Sequence, residues 1–300
     1  MSTAVEFHTH TRQSHSIEPS VTIRPTGGAL GAFVTGIDAS RPVDPLTIFR
    51  LKQAIIDHHI LIFQGQTLTD DEFLRFATYF GAIFVPPKDI PVLASDAEGK
   101  TPDIVPIANV EGGYTGNGEL HPHIDHQWTP YPSSASLLYA LEVLEIGGDT
   151  TWFNLALAYD ALDENTKREI DGLQLITYNP FKRKPGEPRP KYRLDPSAPP
   201  ISEAFPHPLV RTHPDSGRKL LYLSTDTEVE VVGWPPEKGA ELIERLRVHL
   251  EDPRFAYRHR WSVGDIVFWD NQATAHARTA FPAELRRVLK RISLAGGRPF

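Results

Sequence analysis

Short apolar runs separated by turn residues recur through the middle and end of the chain, and this pattern constrains the fold most strongly. Residues 134–141, 265–269 and 289–295 are examples. Runs of this length bounded by turn signals are typical of strands. They do not alternate regularly with helices, which argues against a doubly wound parallel sheet and favours a sandwich or jelly roll. We therefore predict a mainly β fold with flanking helices in a single domain.

Helices are predicted where apolar residues recur at helical spacing. Asp44 is a suitable N-cap for the first of them, and Thr69 with Glu72 forms a capping box that opens the second. The predicted helices are 45–58, 70–80, 155–170 and 236–250.

Composition excludes several classes of protein. The chain has 300 residues and a net charge of −7, which argues against a general nucleic-acid or membrane-surface binder. It has no cysteine, so disulfides, iron–sulfur clusters and thiol nucleophiles are excluded, and this composition suits a reducing cytoplasm. Residues 1–20 are polar and predict a disordered tail, followed by one domain over 21–300. The composition is also compatible with a homo-oligomer.

A cluster of possible metal ligands lies in residues 119–128, where His121, His123, Asp125 and His126 fall close together. Imidazole and carboxylate without thiolate are typical of first-row transition-metal sites. If the stretch is extended, His121, His123 and Asp125 share one face and His126 points to the other. The ligands could then be His123 with Asp125, or His121 with His123 as in a cupin-like site. A polar strand end with solvated histidines explains the same residues without a metal.

A second cluster, near the C-terminus, supplies a possible third metal ligand and a cationic side chain. His276 follows Trp269-Asp-Asn271, and Arg287 comes shortly afterwards. Two histidines and one carboxylate form the facial triad of non-haem Fe(II) oxygenases, which leaves further coordination positions open. A guanidinium beyond the triad can hold a dianionic cosubstrate by its far carboxylate.

Taken together, these segments resemble the taurine dioxygenase / 2,4-dichlorophenoxyacetate dioxygenase group of Fe(II)- and 2-oxoglutarate-dependent oxygenases. The resemblance covers residues 21–297 and rests on segments in family order. They are Gly31-Ala-Phe-Val-Thr-Gly-Ile-Asp38, His59-Ile-Leu-Ile-Phe-Gln-Gly65, Phe80-Gly81, His123-Ile-Asp125, Gly147-Gly-Asp-Thr150 with Trp152, His207-Pro-Leu-Val-Arg-Thr-His-Pro214, Trp269-Asp-Asn271, His276 and Arg287.

The resemblance implies a double-stranded β-helix, which is a jelly roll, and a role for each matching residue. His123, Asp125 and His276 would bind Fe(II), and His126 would be a hydrogen-bonded residue outside the metal site. Two further residues, Thr150 and Arg287, would hold 2-oxoglutarate, with O2 as the other cosubstrate. Arg291 lies at the position that binds the substrate's anionic group in taurine dioxygenase.

Departures from the family pattern argue against taurine itself as the substrate. Pro86 and Asp89 stand where taurine dioxygenase has a His and a Tyr, Glu119 replaces an Asn, and Thr227 replaces a Phe. If Glu119 and Asp89 line the pocket, they favour a substrate with a cation or hydrogen-bond donors. Retention of the acid Asp125 favours hydroxylation or a related oxidation over halogenation.

The sequence thus predicts a dioxygenase that oxidises a C–H bond of a small, anionic organic molecule. Two alternatives remain open, a zinc-dependent hydrolase using the same three ligands and a non-catalytic jelly-roll binding protein. The Pro-rich segment 181–208, whose basic residues concentrate in 182–193, is interpreted as a mobile lid or as a solvated loop.

Overall fold

The structure is a computed structural model that describes residues 21–184, 187 and 190–300. The tail predicted over 1–20 lies outside the described residues. The strands are β1 (Thr22–Pro25), β2 (Ala32–Thr35), β3 (Ile60–Phe63), β4 (Val105–Ala108), β5 (Leu120–His123), β6 (Ala135–Glu142), β7 (Thr150–Asn154), β8 (Gln174–Thr177), β9 (His207–Pro208), β10 (Val210–Thr212), β11 (Lys219–Leu221), β12 (Val229–Val231), β13 (Ala256–His259), β14 (Ile266–Asp270), β15 (Thr274–Arg278) and β16 (Val288–Leu294). The helices are α1 (Pro45–His58), α2 (Asp70–Thr78), α3 (Leu155–Asp160), α4 (Glu164–Ile170) and α5 (Pro236–Leu250).

Two sheets form the main architecture. The larger has the order β1-β2-β3-β14-β6-β16-β4, and the smaller has the order β13-β7-β15-β5. Within these sheets, β2 and β3 are parallel and the other pairs are antiparallel. From β3 onward in the larger sheet, and throughout the smaller one, neighbouring strands are not consecutive in the chain, as expected of a jelly roll. The predicted fold class is therefore confirmed.

Both faces of the larger sheet are buried, and the strand alternation explains how. Ile60 and Ile62 of β3 pack with Trp152 of the smaller sheet, between the two layers. Their neighbours Leu61 and Phe63 point the other way, into a second core that also contains residues of α1 and α2. Burying one such side chain contributes roughly 1.5–3 kcal/mol. An apolar run without alternation is the pattern expected of a strand covered on both sides.

The N-terminal helices follow their local signals. The side chain of Asp44 accepts a hydrogen bond from the backbone N–H of Thr47, and α1 has the predicted bounds. Thr69 and Glu72 form the predicted capping box of α2. This helix ends at Thr78, two residues before the predicted end.

One predicted helix is wrong. Residues 155–170 form two helices, α3 and α4, because the side chain of Asp163 accepts hydrogen bonds from the N–H groups of Asn165 and Thr166 and starts a new helix. An Asp inside a helix competes for backbone donors, and here it caps instead. Strand β4, which no sequence signal predicted, lies at the edge of the larger sheet.

None of the helices in the described part of the chain has the length and apolarity needed to cross a bilayer.

Candidate active site

Strand pairing brings the two histidines from distant parts of the chain together. His123 ends β5, and His276 lies opposite it on the antiparallel strand β15. Their ring centroids are 4.2 Å apart, and Trp152 of β7 stacks on His276 from the other side. The smaller sheet therefore fixes both imidazoles.

The position of Asp125 depends on a long-range contact rather than on strand alternation. Strand β5 stops at His123, and Asp125 lies in the turn that follows. The side chain of Asn271 holds this turn, accepting from the backbone N–H of Asp125 at 3.1 Å and donating to its carbonyl at 2.9 Å. The prediction of a single extended face over residues 121–125 is therefore wrong, because Asn271 ends the strand early.

The two oxygens of the Asp125 carboxylate have different surroundings. Oδ2 accepts a hydrogen bond from Arg291 Nη1 at 2.8 Å, whereas Oδ1 lies 3.8 Å from His123 Nε2. His123 Nδ1 lies 2.9 Å from the carbonyl oxygen of His121, so Nδ1 carries the proton and Nε2 keeps its lone pair. One possible ligand atom from each of His123, Asp125 and His276 lies within 4.8 Å of the other two. This arrangement fits one metal ion with one carboxylate oxygen.

The protonation states also suit metal binding. Burial lowers the pKa of His276 to about 3, so its imidazole is neutral at physiological pH. Burial alone raises the pKa of Asp125, but the charge of Arg291 and the adjacent histidines outweigh it and hold this pKa well below its usual range. A neutral imidazole and an ionised carboxylate are the forms that bind metals. His276 Nδ1 is buried without a hydrogen-bond partner in the described structure.

Thr150 and Arg287 line the same cavity as the three candidate metal ligands. Arg287 Nε donates to the carbonyl of Gly148 at 3.0 Å, and the backbone N–H of Arg287 donates to Asn109 Oδ1. Thr150 Oγ1 accepts from Trp261 Nε1 at 3.0 Å, which leaves the hydroxyl proton for another partner. Both side chains can therefore donate hydrogen bonds to an anion.

The cavity has a volume of about 340 Å³. Its wall is largely apolar, with Leu93, Ile107, Leu120, Trp128, Leu138 and Phe181. Asp226 and Thr227 contribute polar groups. Apolar walls with a few polar groups are typical of small-molecule sites.

Comparison with known proteins agrees with this geometry. A sequence model of the "Taurine catabolism dioxygenase TauD, TfdA family" matches residues 22–293. The chain belongs to the TauD/TfdA dioxygenase family. The family resemblance identified from the sequence is thereby confirmed.

Individual members of the TauD/TfdA family match over most of the chain. An alkylsulfatase of Acinetobacter baylyi is 30% identical, with 91% of this chain and 84% of the relative covered. An alpha-ketoglutarate-dependent 2,4-dichlorophenoxyacetate dioxygenase of Cupriavidus pinatubonensis is 29% identical, with 91% and 96% covered. The solved structure of AAD-2 in complex with Mn(II) and N-oxalylglycine has a TM-score of 0.75 and 28% identity, with 94% of this chain and 99% of that chain covered.

The TauD/TfdA dioxygenases use Fe(II), 2-oxoglutarate (alpha-ketoglutarate) and O2, so the predicted enzyme class and cofactors are confirmed at the level of the family. The donor set of His123, Asp125 and His276 fits this metal, since it contains imidazole and carboxylate and no thiolate. The roles of individual residues stay predictions.

The remaining histidines of residues 119–128 lie outside the ligand group. The side chain of His121 is exposed and contributes only its carbonyl. His126 Nδ1 lies 2.9 Å from Ser133 Oγ, and its ring stacks on Phe84 at 4.1 Å. His126 also borders the cavity, although strand alternation placed it on the opposite face.

The pocket differs from the sequence prediction in two places. Glu119 and Asp89 are exposed and do not line the cavity, so the condition for a cationic substrate is not met. Arg278 lines the cavity together with Arg287, but it was not among the site residues predicted from the sequence. It lies two residues after His276 on one strand, so alternation from His276 would have placed both on the same face.

Part of the 181–208 segment is anchored by its charges. Arg183 pairs with Glu228, and Arg193 lies 3.7 Å from Glu230, both on or beside β12. Phe181 contributes an apolar side chain to the cavity and packs on Trp128 at 5.5 Å between ring centroids. In this structure, Arg183 and Arg193 therefore face acidic partners rather than the cavity.

Proposed function

We propose that this chain oxidises a C–H bond of a small, anionic organic molecule in the cavity, while 2-oxoglutarate is decarboxylated to succinate. One observation supports this most directly. The donor atoms of His123, Asp125 and His276 lie within 4.8 Å of one another, in a cavity that also contains Thr150 and Arg287. The residues proposed to bind the metal and those proposed to bind the dicarboxylate thus line the same cavity.

In this proposal His123, Asp125 and His276 bind Fe(II). Iron bound there with 2-oxoglutarate supplies the activation of O2 that oxidation of a C–H bond requires. Arg291 orients Asp125 by binding one carboxylate oxygen, which leaves the other for the metal. Asn271 fixes the backbone at the same residue.

Thr150 and Arg287 bind the far carboxylate of 2-oxoglutarate. With Nε of Arg287 already donating to Gly148, the terminal nitrogens of the guanidinium can form a two-pronged pair with that carboxylate. Burial lowers the pKa of Arg287 to about 9, because the buried charge has no carboxylate partner within ion-pair distance in the described structure. The far carboxylate of 2-oxoglutarate would supply that partner.

The substrate is expected to combine an anionic group with an apolar body. The apolar wall, including Leu93, Trp128 and Phe181, suits such a body. Arg291 also borders the cavity and is the candidate for the anionic group, in addition to its contact with Asp125. The names of two relatives, for 2,4-dichlorophenoxyacetate and for alkyl sulfate esters, are consistent with this class.

The segment 181–208 is proposed to act as a lid, since Phe181 at its start lines part of the cavity. The cytoplasmic location and a homo-oligomeric state stay predictions.

A panel of carboxylates, sulfonates, sulfate esters and amino acids, scored for stimulated succinate formation, tests the proposal. Protein loaded with Fe(II) should release succinate in the presence of O2, and an anionic, apolar member of the panel should raise the rate. Zinc-loaded protein should release none. Hydrolysis of an ester without O2, or activity with zinc alone, would instead support the hydrolase.

A further inference from the structure

Arg278 is a second buried guanidinium at the end of the cavity that holds Thr150 and Arg287. It lies on β15, where its backbone is paired with Thr150 of the neighbouring strand β7. Its residue surface is only 6% exposed, and it lines the cavity together with Thr150 and Arg287. All three residues therefore border the same end of the cavity.

The contacts of Arg278 with the protein use only part of its hydrogen-bonding capacity. Nη2 donates to the carbonyl of Gly118, and the guanidinium lies 5.3 Å from the ring centroid of Phe281. Nε is buried and has no hydrogen-bond partner among residues 21–184, 187 and 190–300. An arginine has five N–H donors, so this environment leaves donors for a ligand.

The charges at this end of the cavity do not balance. Within the described structure, neither Arg278 nor Arg287 has a carboxylate within ion-pair distance. Asp149, the acid whose charge acts on Arg287, is already 2.7 Å from Arg258 Nη2 and 3.9 Å from Arg260 Nε. Arg278 is close enough for its charge to contribute to the lowered pKa of Arg287. Two buried like charges repel each other, and a shared anion removes the repulsion.

We propose that Arg278 is a second cationic partner for the far carboxylate of 2-oxoglutarate, together with Thr150 and Arg287. This inference rests on the proposed cosubstrate site and adds a residue that selects for a dicarboxylate. A 2-oxo acid without the far carboxylate would leave both guanidiniums unpaired, so the second arginine sharpens discrimination against it.

Calorimetric titration without O2, with Mn(II) in place of iron, tests this role. The ligands are 2-oxoglutarate and 2-oxovalerate, which has a methyl group in place of the far carboxylate. Arg278→Met should weaken binding of 2-oxoglutarate by roughly tenfold or more, as expected for loss of a charged hydrogen bond. It should change binding of 2-oxovalerate by less than about twofold on the same basis. Arg278→Lys should lie between the wild type and Arg278→Met for 2-oxoglutarate.

The control is Arg245→Met on α5, whose side chain pairs with Glu169 at the surface. Equal weakening of both ligands, or no weakening of 2-oxoglutarate, would overturn the role of Arg278 and assign it to supporting Gly118. Arg278→Lys provides the same comparison if Arg278→Met does not fold. Failure of the wild-type protein to bind 2-oxoglutarate, or undiminished binding by Arg287→Met, would instead overturn the cosubstrate site itself.

Discussion

At the residue scale, Asp125, a predicted metal ligand, is held in place by two residues outside the predicted ligand set. Arg291 holds one carboxylate oxygen, and Asn271 forms two hydrogen bonds with the backbone of the same residue. Asn271 and Arg291 lie 146 and 166 residues after Asp125 in the sequence. The contacts of Asn271 and Arg291 with Asp125 explain why Asp125 can lie in a turn and still face His123 and His276.

Asn271→Ala should loosen this turn. We expect metal affinity to fall roughly 10–100-fold, as is typical when a residue that orients a ligand is removed. The buried backbone groups left unpaired should lower the free energy of unfolding by about 1–3 kcal/mol. Calorimetry with Mn(II) and chemical denaturation measure the two effects. Asn165→Ala, at an exposed position on α4, is the control, and an equal effect there would contradict this role.

Arg287→Lys should raise the KM for 2-oxoglutarate roughly tenfold to a hundredfold, because a single ammonium cannot reproduce the two-pronged guanidinium pair. Arg286→Lys is the control, since Arg286 is exposed and pairs with Glu142. Steady-state rates of succinate formation measure both variants. An unchanged KM for Arg287→Lys would show that Arg287 does not bind the cosubstrate.

The residue scale also shows where sequence reasoning succeeded and where it failed. The sequence pointed to His123, Asp125 and His276, and the structure brings them together, although their metal-binding role stays a prediction. The orientation of His126 could not be read from alternation, because the strand end depends on Asn271. Arg278 could have been found by applying the same alternation onward from His276.

At the element scale, the turn before β7 shapes the part of the cavity that contains Arg287, the predicted cosubstrate residue. Gly148 has φ +66°, and a Cβ atom there would lie 3.0 Å from both Cδ and Nε of Arg287. Its carbonyl also accepts the hydrogen bond from that Nε. The glycine is needed for the backbone conformation and for the close approach of the arginine.

Gly148→Ala should therefore displace Arg287 and raise the KM for 2-oxoglutarate. Gly172→Ala is a matched control, since Gly172 has φ +72° and a Cβ atom there would have no other atom within 4 Å among the described residues. Both variants should lose stability from the strained backbone, by about 1 kcal/mol or more. Only Gly148→Ala should change KM, and equal KM values for the two variants would exclude the steric explanation.

Elements with strong local signals were predicted best. Helix α1 has the predicted bounds because Asp44 and Pro45 define its start locally. The break between α3 and α4 was missed because helical spacing of apolar residues continued across Asp163. Strands β8, β9 and β12 were missed as well, since these short strands are stabilised by pairing with distant segments.

At the scale of the whole molecule, the fold also buries polar residues. His59, between α1 and β3, is 2% exposed, and neither ring nitrogen has a hydrogen-bond partner in the described part of the chain. Burial lowers its pKa to about 4, although the charge of Asp270 acts in the opposite direction. The folded protein therefore holds His59 neutral.

This burial predicts a pH-dependent stability. Below about pH 6.5 the unfolded chain binds a proton at His59 that the folded protein takes up only near pH 4. The contribution is fully present above pH 6.5 and is lost as the pH falls towards 4, by up to about 3 kcal/mol. His59→Asn tolerates the positive φ of 62° and should flatten the curve. Denaturation of both proteins from pH 7.5 to 4 measures this, and parallel curves would refute it.

The absorption spectrum of the protein with Fe(II) and 2-oxoglutarate, recorded without O2, tests the central claim most directly. The wild-type protein should show a visible charge-transfer band that requires both components. His276→Ala should lose the band, whereas His121→Ala, at the exposed histidine beside the cluster, should keep it. No band in the wild type, or an undiminished band in His276→Ala, would contradict a single iron site formed by His123, Asp125 and His276.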